Sequence, residues 1–272
     1  QIFPYWSFTK TVIAICALKL CEQGRLDLDA PVEGQVFSLR QLLNHTSGLP
    51  DYGSLPAYHE AVRRDAPPWP REQLVDAVMA QGTLFAPGEG WSYSNLGHML
   101  ALEQIERAAG KPFATVVSQQ INAPLGLKTM RLAETRDHFA SVPWEGARRY
   151  HPGWVYHRCL TGTAAEAARL LHALCLGQIL GKHSLAQMMT PVPLGGAIEG
   201  RPWTTCGYGL GVMIGELGEG LRAIGHSGAG PFCVNAVYHF PDLAGPVTVA
   251  SFAAGTDEGV AEVEAVRLAM GR

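Results

Sequence analysis

The sequence predicts an α+β fold in which a mainly helical lobe lies beside an antiparallel sheet flanked by helices. Two observations lead to this expectation. Up to about residue 200 the chain is dominated by segments with helical start and stop signals, and short apolar segments separated by Gly and Pro follow. Because these apolar segments succeed one another without intervening helices, their strands are expected to form an antiparallel meander.

The length and composition fit one large domain. The chain has 272 residues, of which 47% are hydrophobic and 17% are charged, as expected for a globular protein with a sizeable core. We therefore predict a single domain over residues 1–272. Its mainly helical lobe is expected at 26–200, and its sheet-side lobe is expected from 1–25 and 201–272 together.

The individual elements are predicted from apolar patterns and capping residues. The first helix, at 8–23, is apolar on all sides and is followed by Gly24, so it is expected to be buried and closed by a glycine cap. Thr163 and Glu166 match a capping box that opens a helix running to about residue 176. The other helices are predicted at 39–44, 70–81, 95–109, 112–122, 183–189 and 257–270. Strands are predicted at 208–214, 223–225, 232–240 and 247–253.

Charge and hydropathy exclude two classes of partner. The formal net charge is −3 and the basic residues are scattered, so no nucleic-acid-binding surface is expected. The most apolar run, at 11–18, is far shorter than the roughly 20 residues that a membrane-spanning helix requires. No signal peptide is predicted, although the chain opens with Gln1 and we expect further residues upstream. We expect a soluble protein of the cytoplasm or the periplasm, and its oligomeric state stays open.

The cysteines give no sign of a disulfide framework. The chain contains six of them, and none forms a C-x-x-C pair. A chain of this size does not need a disulfide scaffold to be stable. Cys16 and Cys21 fall in the apolar first helix, so we expect buried, reduced thiols and a reducing compartment.

Ser7 and Lys10 are the first pair of residues that can perform chemistry. They lie three residues apart at the start of a predicted helix, and therefore on the same face of it. The free N–H groups and the positive dipole end of a helix N-terminus favour an oxyanion there. A serine hydroxyl needs a base to become a nucleophile, and burial lowers the pKa of a lysine enough for it to be that base. Taken alone, a serine cap followed by a solvated lysine explains the spacing as well.

Tyr93 and Asn95 form a second constellation, in a turn that precedes a predicted helix. Two residues apart in such a turn, both side chains can face one cleft. The tyrosine hydroxyl can then relay a proton to a leaving group, and the asparagine amide can hold Lys10 and a substrate carbonyl. In isolation, an asparagine cap beside a packed tyrosine is the simpler interpretation.

His226, Gly228 and Ala229 form the third constellation, between two predicted strands. A glycine at this position permits close approach of a ligand to the backbone. The N–H group of Ala229 is a candidate for one half of an oxyanion hole, with the N–H group of Ser7 as the other half. A turn with an exposed histidine is the alternative when these residues are considered alone.

The order S-x-x-K, Y-x-N, H-x-G resembles that of the serine β-lactamase and penicillin-binding protein superfamily, in which S-x-x-K is a known motif. The resemblance is to the class C-like branch, with class C β-lactamases, D-alanyl-D-alanine carboxypeptidases, D-aminopeptidases and β-lactamase-fold esterases. Flanking segments at 24–29, 42–49 and 87–88 are also typical of the family, so the resemblance covers nearly the whole chain. It implies a β-lactamase-like fold with the active site between the two lobes.

The resemblance also implies a role for each residue. Ser7 would be the acylated nucleophile and Lys10 its activator. Tyr93 would act as general base or proton shuttle and activate water for deacylation, and Asn95 would position Lys10 and the substrate. His226 replaces the lysine of the K-T-G motif and would line the strand edge where the substrate docks. The implied substrates are small esters, amides or D-amino-acid derivatives, and no metal or organic cofactor is implied.

The chain departs from the family pattern in two places. Only six residues precede Ser7, so we expect the sheet to lack the strands that relatives place before S-x-x-K. Pro231 runs directly into Phe232 where relatives carry a glycine, so we expect an acyl pocket of different shape. With histidine at position 226, no permanent cation faces a substrate carboxylate, and we therefore expect esterase or D-peptidase activity over efficient β-lactamase activity.

Other classes of protein fit the sequence less well. An α/β-hydrolase would show G-x-S-x-G, but Ala229 stands where the last glycine belongs. His151 and His157 do not have the spacing of a metal-hydrolase motif, and Gly209 and Gly211 lack the third glycine of a dinucleotide-binding loop. A catalytically silent relative that binds peptidoglycan peptides or β-lactams stays open as the alternative from another functional class.

Overall fold

The computed structural model describes residues 1–218 and 220–271. The helices are α1 (Thr9–Glu22), α2 (Leu39–Leu43), α3 (Pro56–Arg63), α4 (Arg71–Met79), α5 (Asn95–Ala109), α6 (Phe113–Val117), α7 (Ala123–Leu125), α8 (Ala164–Cys175), α9 (Lys182–Met188) and α10 (Glu258–Ala269). The strands are β1 (Phe3–Pro4), β2 (Arg131–Ala133), β3 (Cys159–Gly162), β4 (Val192–Gly195), β5 (Trp203–Tyr208), β6 (Met213–Leu217), β7 (Leu221–Ala229), β8 (Cys233–Phe240) and β9 (Val247–Ala254).

The strands form two antiparallel sheets. The larger sheet has six strands in the order β4-β5-β6-β7-β8-β9, so each strand pairs with its neighbour in the chain. The smaller sheet has the order β1-β3-β2 and pairs the first residues of the chain with β3. The expected α+β class and the antiparallel meander are therefore confirmed, because consecutive strands joined by short turns pair most directly with one another.

Helix α1 is the centre of the hydrophobic core. Its residues from Thr9 to Leu18 are buried on every side of the axis, as the all-round apolar pattern predicts. It contacts α5, α6 and α9, and helices α8 and α10 pack on strands β8 and β9. Each fully buried Ile or Leu side chain here contributes about 1.5–3 kcal/mol through loss of apolar surface from water. The core therefore fixes the helix that carries Lys10.

The predicted strand at 208–214 is wrong, because a tight turn separates β5 from β6. The turn is closed by a hydrogen bond in which the N–H of Gly209 donates to the carbonyl of Val212, with an N–O distance of 2.8 Å. Gly211 has a φ of +66°, and a Cβ atom there would lie 2.6 Å from the carbonyl oxygen of Lys10. The two glycines therefore belong to a turn that packs against α1, and not to a strand.

Other differences concern short or irregular elements. The predicted helix at 112–122 is α-helical only to Val117, continues as a π-helical turn over Ser118–Asn122 and ends with α7. The predicted strand at 223–225 is the middle of the nine-residue β7. Helix α3 and strands β1 to β4 are not predicted, because elements of two to eight residues are too short for periodicity to identify.

The capping box at Thr163 is only half formed. The Thr163 hydroxyl accepts a hydrogen bond from the N–H of Glu166, as predicted. The Glu166 carboxylate instead accepts hydrogen bonds from the backbone N–H groups of Lys128, Thr129 and Met130 and from the Thr129 hydroxyl, at 2.6–3.1 Å. These bonds outweigh the effect of burial and lower the pKa of Glu166. Glu166 thus joins α8 to the segment that enters β2.

We expect Glu166→Gln to lower the free energy of unfolding by about 2 kcal/mol, because an amide cannot accept all of these charge-assisted bonds. Urea unfolding near neutral pH measures the loss, with the exposed Glu199→Gln as control. Since the folded-state pKa is below the unfolded value, this stabilisation is present at neutral pH and is lost as the pH falls through the folded-state pKa. Equal stability of Glu166→Gln and the wild type would contradict the assignment.

Within residues 1–218 and 220–271, no helix combines the length and the apolar character needed to cross a lipid bilayer.

All six cysteines lie in the described residues and are free thiols, with Cys16 buried and Cys21 half-buried. Burial raises the pKa of Cys21 to about 11, which keeps this thiol protonated at neutral pH.

Candidate active site

Ser7 lies in a short 3₁₀ turn, Trp6–Phe8, that leads directly into α1. The residue before it, Trp6, is buried and has a φ of +42°, a conformation that bulky side chains rarely adopt. The Trp6 ring packs edge-on against three aromatic rings, and its indole N–H points at the Cys233 sulfur at 3.2 Å. This packing holds the strained backbone that carries Ser7.

Lys10 is fully buried and has three polar partners. Its Nζ atom lies 3.1 Å from the Ser7 Oγ atom, 2.7 Å from the Asn95 Oδ1 atom and 3.1 Å from the His157 Nε2 atom. Burial lowers the pKa of Lys10 to about 7, and the negative charge of Asp51 opposes that shift. A substantial fraction of Lys10 is therefore uncharged near neutral pH.

Tyr93 approaches Ser7 from the other side. Its hydroxyl donates a hydrogen bond to the Ser7 Oγ atom at 2.8 Å, and the Lys10 Nζ atom lies 4.8 Å from the centre of its ring. Burial raises the pKa of Tyr93 far above its ordinary value, so the phenol is protonated at neutral pH. Ser7, Lys10, Tyr93 and Asn95 thus converge on one point of the structure.

The turn that carries Tyr93 and Asn95 is held by the segment at 45–51. The N–H of Ser94 donates to the His45 Nδ1 atom at 3.0 Å, and the Ser94 hydroxyl donates to the Pro50 carbonyl at 2.9 Å. The His45 ring also packs against the Tyr93 ring in a tilted orientation, with 4.4 Å between the centroids. Through His45, the 42–49 segment therefore supports the turn that carries Tyr93.

Asp51 is a site residue that sequence reasoning missed. Its carboxylate accepts hydrogen bonds from the Asn95 backbone N–H at 2.8 Å and from the Asn95 side-chain amide at 3.0 Å. This orientation turns the Asn95 Oδ1 atom toward Lys10. Burial raises the pKa of Asp51, while Asn95 and Lys10 oppose the shift. An aspartate that follows a proline in a loop carries no sequence signal for this role.

His157 is a second missed residue, and it completes the hydrogen bonding of Lys10. The His157 Nδ1 atom lies 3.3 Å from the Tyr52 hydroxyl, and burial keeps the pKa of His157 well below its ordinary value. An uncharged Lys10 amine has two N–H donors and one lone pair. Donation to Asn95 and His157 leaves the lone pair directed at the Ser7 hydroxyl.

His226 lies within β7, where it is buried and bonded to the protein through both ring nitrogens. The Nδ1 atom contacts the Ser227 carbonyl and therefore carries the proton, and the Nε2 atom accepts from the Tyr208 hydroxyl at 2.7 Å. Burial lowers the pKa of His226 to about 3, with Lys10 adding to the shift. This imidazole is neutral and supplies no positive charge to a substrate.

Gly228 brings β7 against the backbone of Ser7. A Cβ atom at Gly228 would lie 2.7 Å from the Ser7 nitrogen and 2.8 Å from the Trp6 Cβ atom. The backbone at Gly228 is therefore approached closely by Trp6 and Ser7 of the chain, and not by a ligand as expected. Ala229, the next residue, lines the same cavities as Ser7.

Two cavities meet at Ser7, Asn95 and Ala229. The smaller cavity, of about 370 Å³, is lined in part by the aromatic side chains of Trp6, Tyr52, Tyr58, Tyr150 and Trp154. The larger cavity, of about 560 Å³, is more polar and includes Tyr93, Tyr208, His226, Arg201 and Glu258. A substrate with its reacting carbonyl at Ser7 therefore has room on both sides of that carbonyl.

Arg201 was not singled out from the sequence, and it brings a guanidinium into the larger cavity. It donates to the Ser227 hydroxyl at 2.7 Å and forms ion pairs with Glu262 and Glu258.

The described parts of the chain contain no group of three His, Cys, Asp or Glu side chains arranged to hold a metal ion. The chemistry that this site can perform with its own residues is that of a serine, an amine and a phenol.

Comparison with known proteins places this geometry in a family. Residues 1–269 match the family model described as Beta-lactamase. Penicillin-binding protein 4* of Bacillus subtilis is 28% identical over 267 residues, which cover 85% of this chain and 56% of that protein. Esterase EstB of Burkholderia gladioli is 29% identical over 173 residues, which cover 56% of this chain and 42% of that protein. The chain thus spans about half the length of these curated relatives.

Two solved structures resemble the whole chain. A D-stereospecific amidohydrolase from Streptomyces sp. superposes with a TM-score of 0.80 at 27% identity, covering 98% of this chain and 86% of that one. The D-amino acid amidase from Ochrobactrum anthropi SV3 superposes with a TM-score of 0.81 at 25% identity, covering 100% of this chain and 86% of that one. The expected β-lactamase-like fold is therefore confirmed, and the chain belongs to the Beta-lactamase family.

Proposed function

We propose that this protein is a serine hydrolase that cleaves small esters or amides through an acyl-enzyme, with Ser7 as the nucleophile. The observation that carries the proposal is the contact of the Ser7 Oγ atom with both the Lys10 amine, at 3.1 Å, and the Tyr93 hydroxyl, at 2.8 Å. An amine and a phenol on one serine hydroxyl provide a proton acceptor and a proton donor for acyl transfer.

Lys10 is the base in this proposal. Its pKa of about 7 leaves the amine about half uncharged at neutral pH, so it can accept the Ser7 proton as Ser7 attacks the carbonyl. Asn95 and His157 accept its two N–H groups and keep its lone pair on Ser7. Asp51 acts through Asn95, and we assign it a positioning role.

Tyr93 is the proton shuttle. Because its pKa is strongly raised, it works as a protonated phenol and not as a phenolate base. It would pass its proton to the departing alcohol or amine and regain one from the Lys10 ammonium, which holds the proton taken from Ser7. It would then assist the attack of water on the acyl-enzyme. The N–H groups of Ser7 and Ala229 are the proposed oxyanion hole, which the position of Ala229 in both cavities supports.

The neutral state of His226 favours ester or amide substrates over β-lactams. A β-lactam carries a carboxylate, and neither His226 nor the ion-paired Arg201 offers it an unmatched positive charge. Relatives named as an esterase, a D-aminopeptidase and a D-amino acid amidase support the same substrate class. Penicillin binding or β-lactamase activity is the second candidate, which the likeness to Penicillin-binding protein 4* favours.

Covalent labelling tests the proposal. Incubation with a fluorophosphonate is expected to add one reagent group per chain in the intact mass, and peptide mapping is expected to locate it on Ser7. Ser7→Ala should not be labelled, whereas Ser118→Ala, which alters an exposed serine, should be labelled fully. A wild-type protein that forms no adduct and turns over no p-nitrophenyl ester, D-amino acid amide or nitrocefin would be a binding protein and not a hydrolase.

A further inference from the structure

An arginine and two glutamates lie together at the larger cavity. Arg201 and Glu258 line it together with Ser7, and the fully buried Glu262 lies against Arg201. One cation and two carboxylates are therefore in direct contact, which leaves one negative charge more than the guanidinium can match. The distribution of that surplus charge decides what the cavity can bind.

The two carboxylates are not matched equally. Glu262 accepts hydrogen bonds from the Arg201 Nε atom at 2.7 Å, from the Tyr238 hydroxyl at 2.6 Å and from the Trp203 indole N–H at 3.0 Å, and also contacts the Arg201 Nη2 atom. Glu258 lies 3.3 Å from the Arg201 Nη1 atom. Because the bidentate pair with Glu262 satisfies most of the guanidinium, the surplus negative charge falls on Glu258.

Within the described residues, the Ser227 hydroxyl and Lys10 also favour the ionised form of Glu258, but neither supplies an unmatched positive charge. Lys10 is matched by Asp51 through Asn95, and His226 is neutral. The Glu258 side chain is 28% exposed, so it is accessible from the cavity yet largely removed from water. Burial raises the pKa of Glu258 above its ordinary value against the opposing effect of Arg201, which indicates an incompletely stabilised carboxylate.

We propose that Glu258 is a specificity-determining residue that selects substrates with a cationic amine, which binds its carboxylate while the reacting carbonyl lies at Ser7. The inference deepens the proposed function and rests on it. With a substrate ammonium group at Glu258, two cations face two carboxylates, so the charges balance. This balance favours binding because an unmatched charge is costly in buried surroundings. A substrate carboxylate in the same place meets a like charge and is disfavoured.

The test uses two pairs of substrates, each with one cationic and one neutral member. One pair is D-phenylalanine amide and N-acetyl-D-phenylalanine amide, which places the charge on the acyl side of the scissile bond. The other pair is acetylthiocholine and its uncharged dimethylbutyl thioacetate analogue, which places a permanent charge on the leaving group. For each pair, the kcat/KM of the charged member divided by that of the neutral member gives a selectivity ratio.

The wild type is expected to favour the charged member of at least one pair. In Glu258→Gln, which keeps the size and a hydrogen-bonding amide, that ratio should fall about 10- to 100-fold, the effect of removing one buried charge-assisted contact. Any change in the basicity of Lys10 affects both members of a pair and cancels in the ratio. Glu258→Asp keeps the charge and should keep most of the selectivity. Glu264→Gln, which changes a half-exposed residue on the same helix, should leave the ratio unchanged.

Two results would overturn the inference while leaving the proposed function intact. One is a wild type that favours the neutral member of both pairs, and the other is a selectivity ratio that does not change in Glu258→Gln while neutral substrates are still cleaved. A wild type that cleaves none of the four substrates and is not labelled on Ser7 would instead end the proposed function, and this inference with it.

Discussion

Replacing Ser7 by alanine is expected to lower kcat/KM for p-nitrophenyl esters by about 10,000-fold or more, because the acyl-enzyme can no longer form. The Lys10 amine and the Tyr93 hydroxyl would remain, but they would have no hydroxyl to activate. Any residual rate would come from binding and from the proposed oxyanion hole. Steady-state kinetics with a chromogenic ester measure the loss.

The control for this variant is Ser118→Ala, which changes an exposed serine remote from the cavities and should retain the wild-type rate. Thermal unfolding of Ser7→Ala should match that of the wild type, since only one oxygen atom is removed from a partly exposed side chain. A rate within tenfold of the wild type would assign the nucleophile to another residue.

Replacing Lys10 by methionine is expected to lower kcat/KM by about 1,000-fold, which is the middle of the usual range for the contribution of a positioned general base. Methionine fills a similar volume and suits the buried position, so the fold should be retained. Lys10→Arg should be equally inactive, because a guanidinium does not lose its proton near neutral pH. Lys128→Met, which changes an exposed lysine, is the matched control and should be fully active.

The pH profile tests the same assignment by a different route. If the neutral amine is the active form, kcat/KM of the wild type should rise with pH through an apparent pKa of about 7 and level off above it. Because the charge of Asp51 raises the pKa of Lys10, Asp51→Asn should move this acidic limb to lower pH. A profile that is flat between about pH 5 and pH 9 would contradict Lys10 as the base.

Local sequence patterns are sufficient to predict a large part of the fold. Helix α5 has the predicted bounds of 95–109, closed by Gly110 at a φ of +59°. Strand β8 begins and ends within one residue of its prediction, and the meander follows the chain order. These elements are long and strongly patterned, so their periodicity and capping residues identify them without knowledge of the tertiary structure.

Elements that depend on distant contacts were not predictable. Strand β1 has two residues and exists because it pairs with β3, about 160 positions further along the chain. The turn between β5 and β6 forms where Gly211 lies against the carbonyl of Lys10 and its N–H donates a hydrogen bond to the carbonyl of Leu43. Such pairings are decided by packing, which a local sequence window does not contain.

In the candidate site, too, some features follow from local sequence patterns and others depend on distant contacts. Motif spacing and family resemblance were sufficient to single out Ser7, Lys10, Tyr93 and Asn95, because Ser7 and Lys10 share one helical turn and the other two share one loop. Only the tertiary structure decides that they meet, and that the buried amine of Lys10 has a pKa of about 7.

The partners of these groups could be found only in three dimensions. Asp51, His157 and Glu258 have no motif around them, and each contacts a residue more than 40 positions away. The sequence by itself determined which functional groups the chain carries and in what order. The structure decided their charge states, because desolvation and opposing charges depend on how distant segments pack.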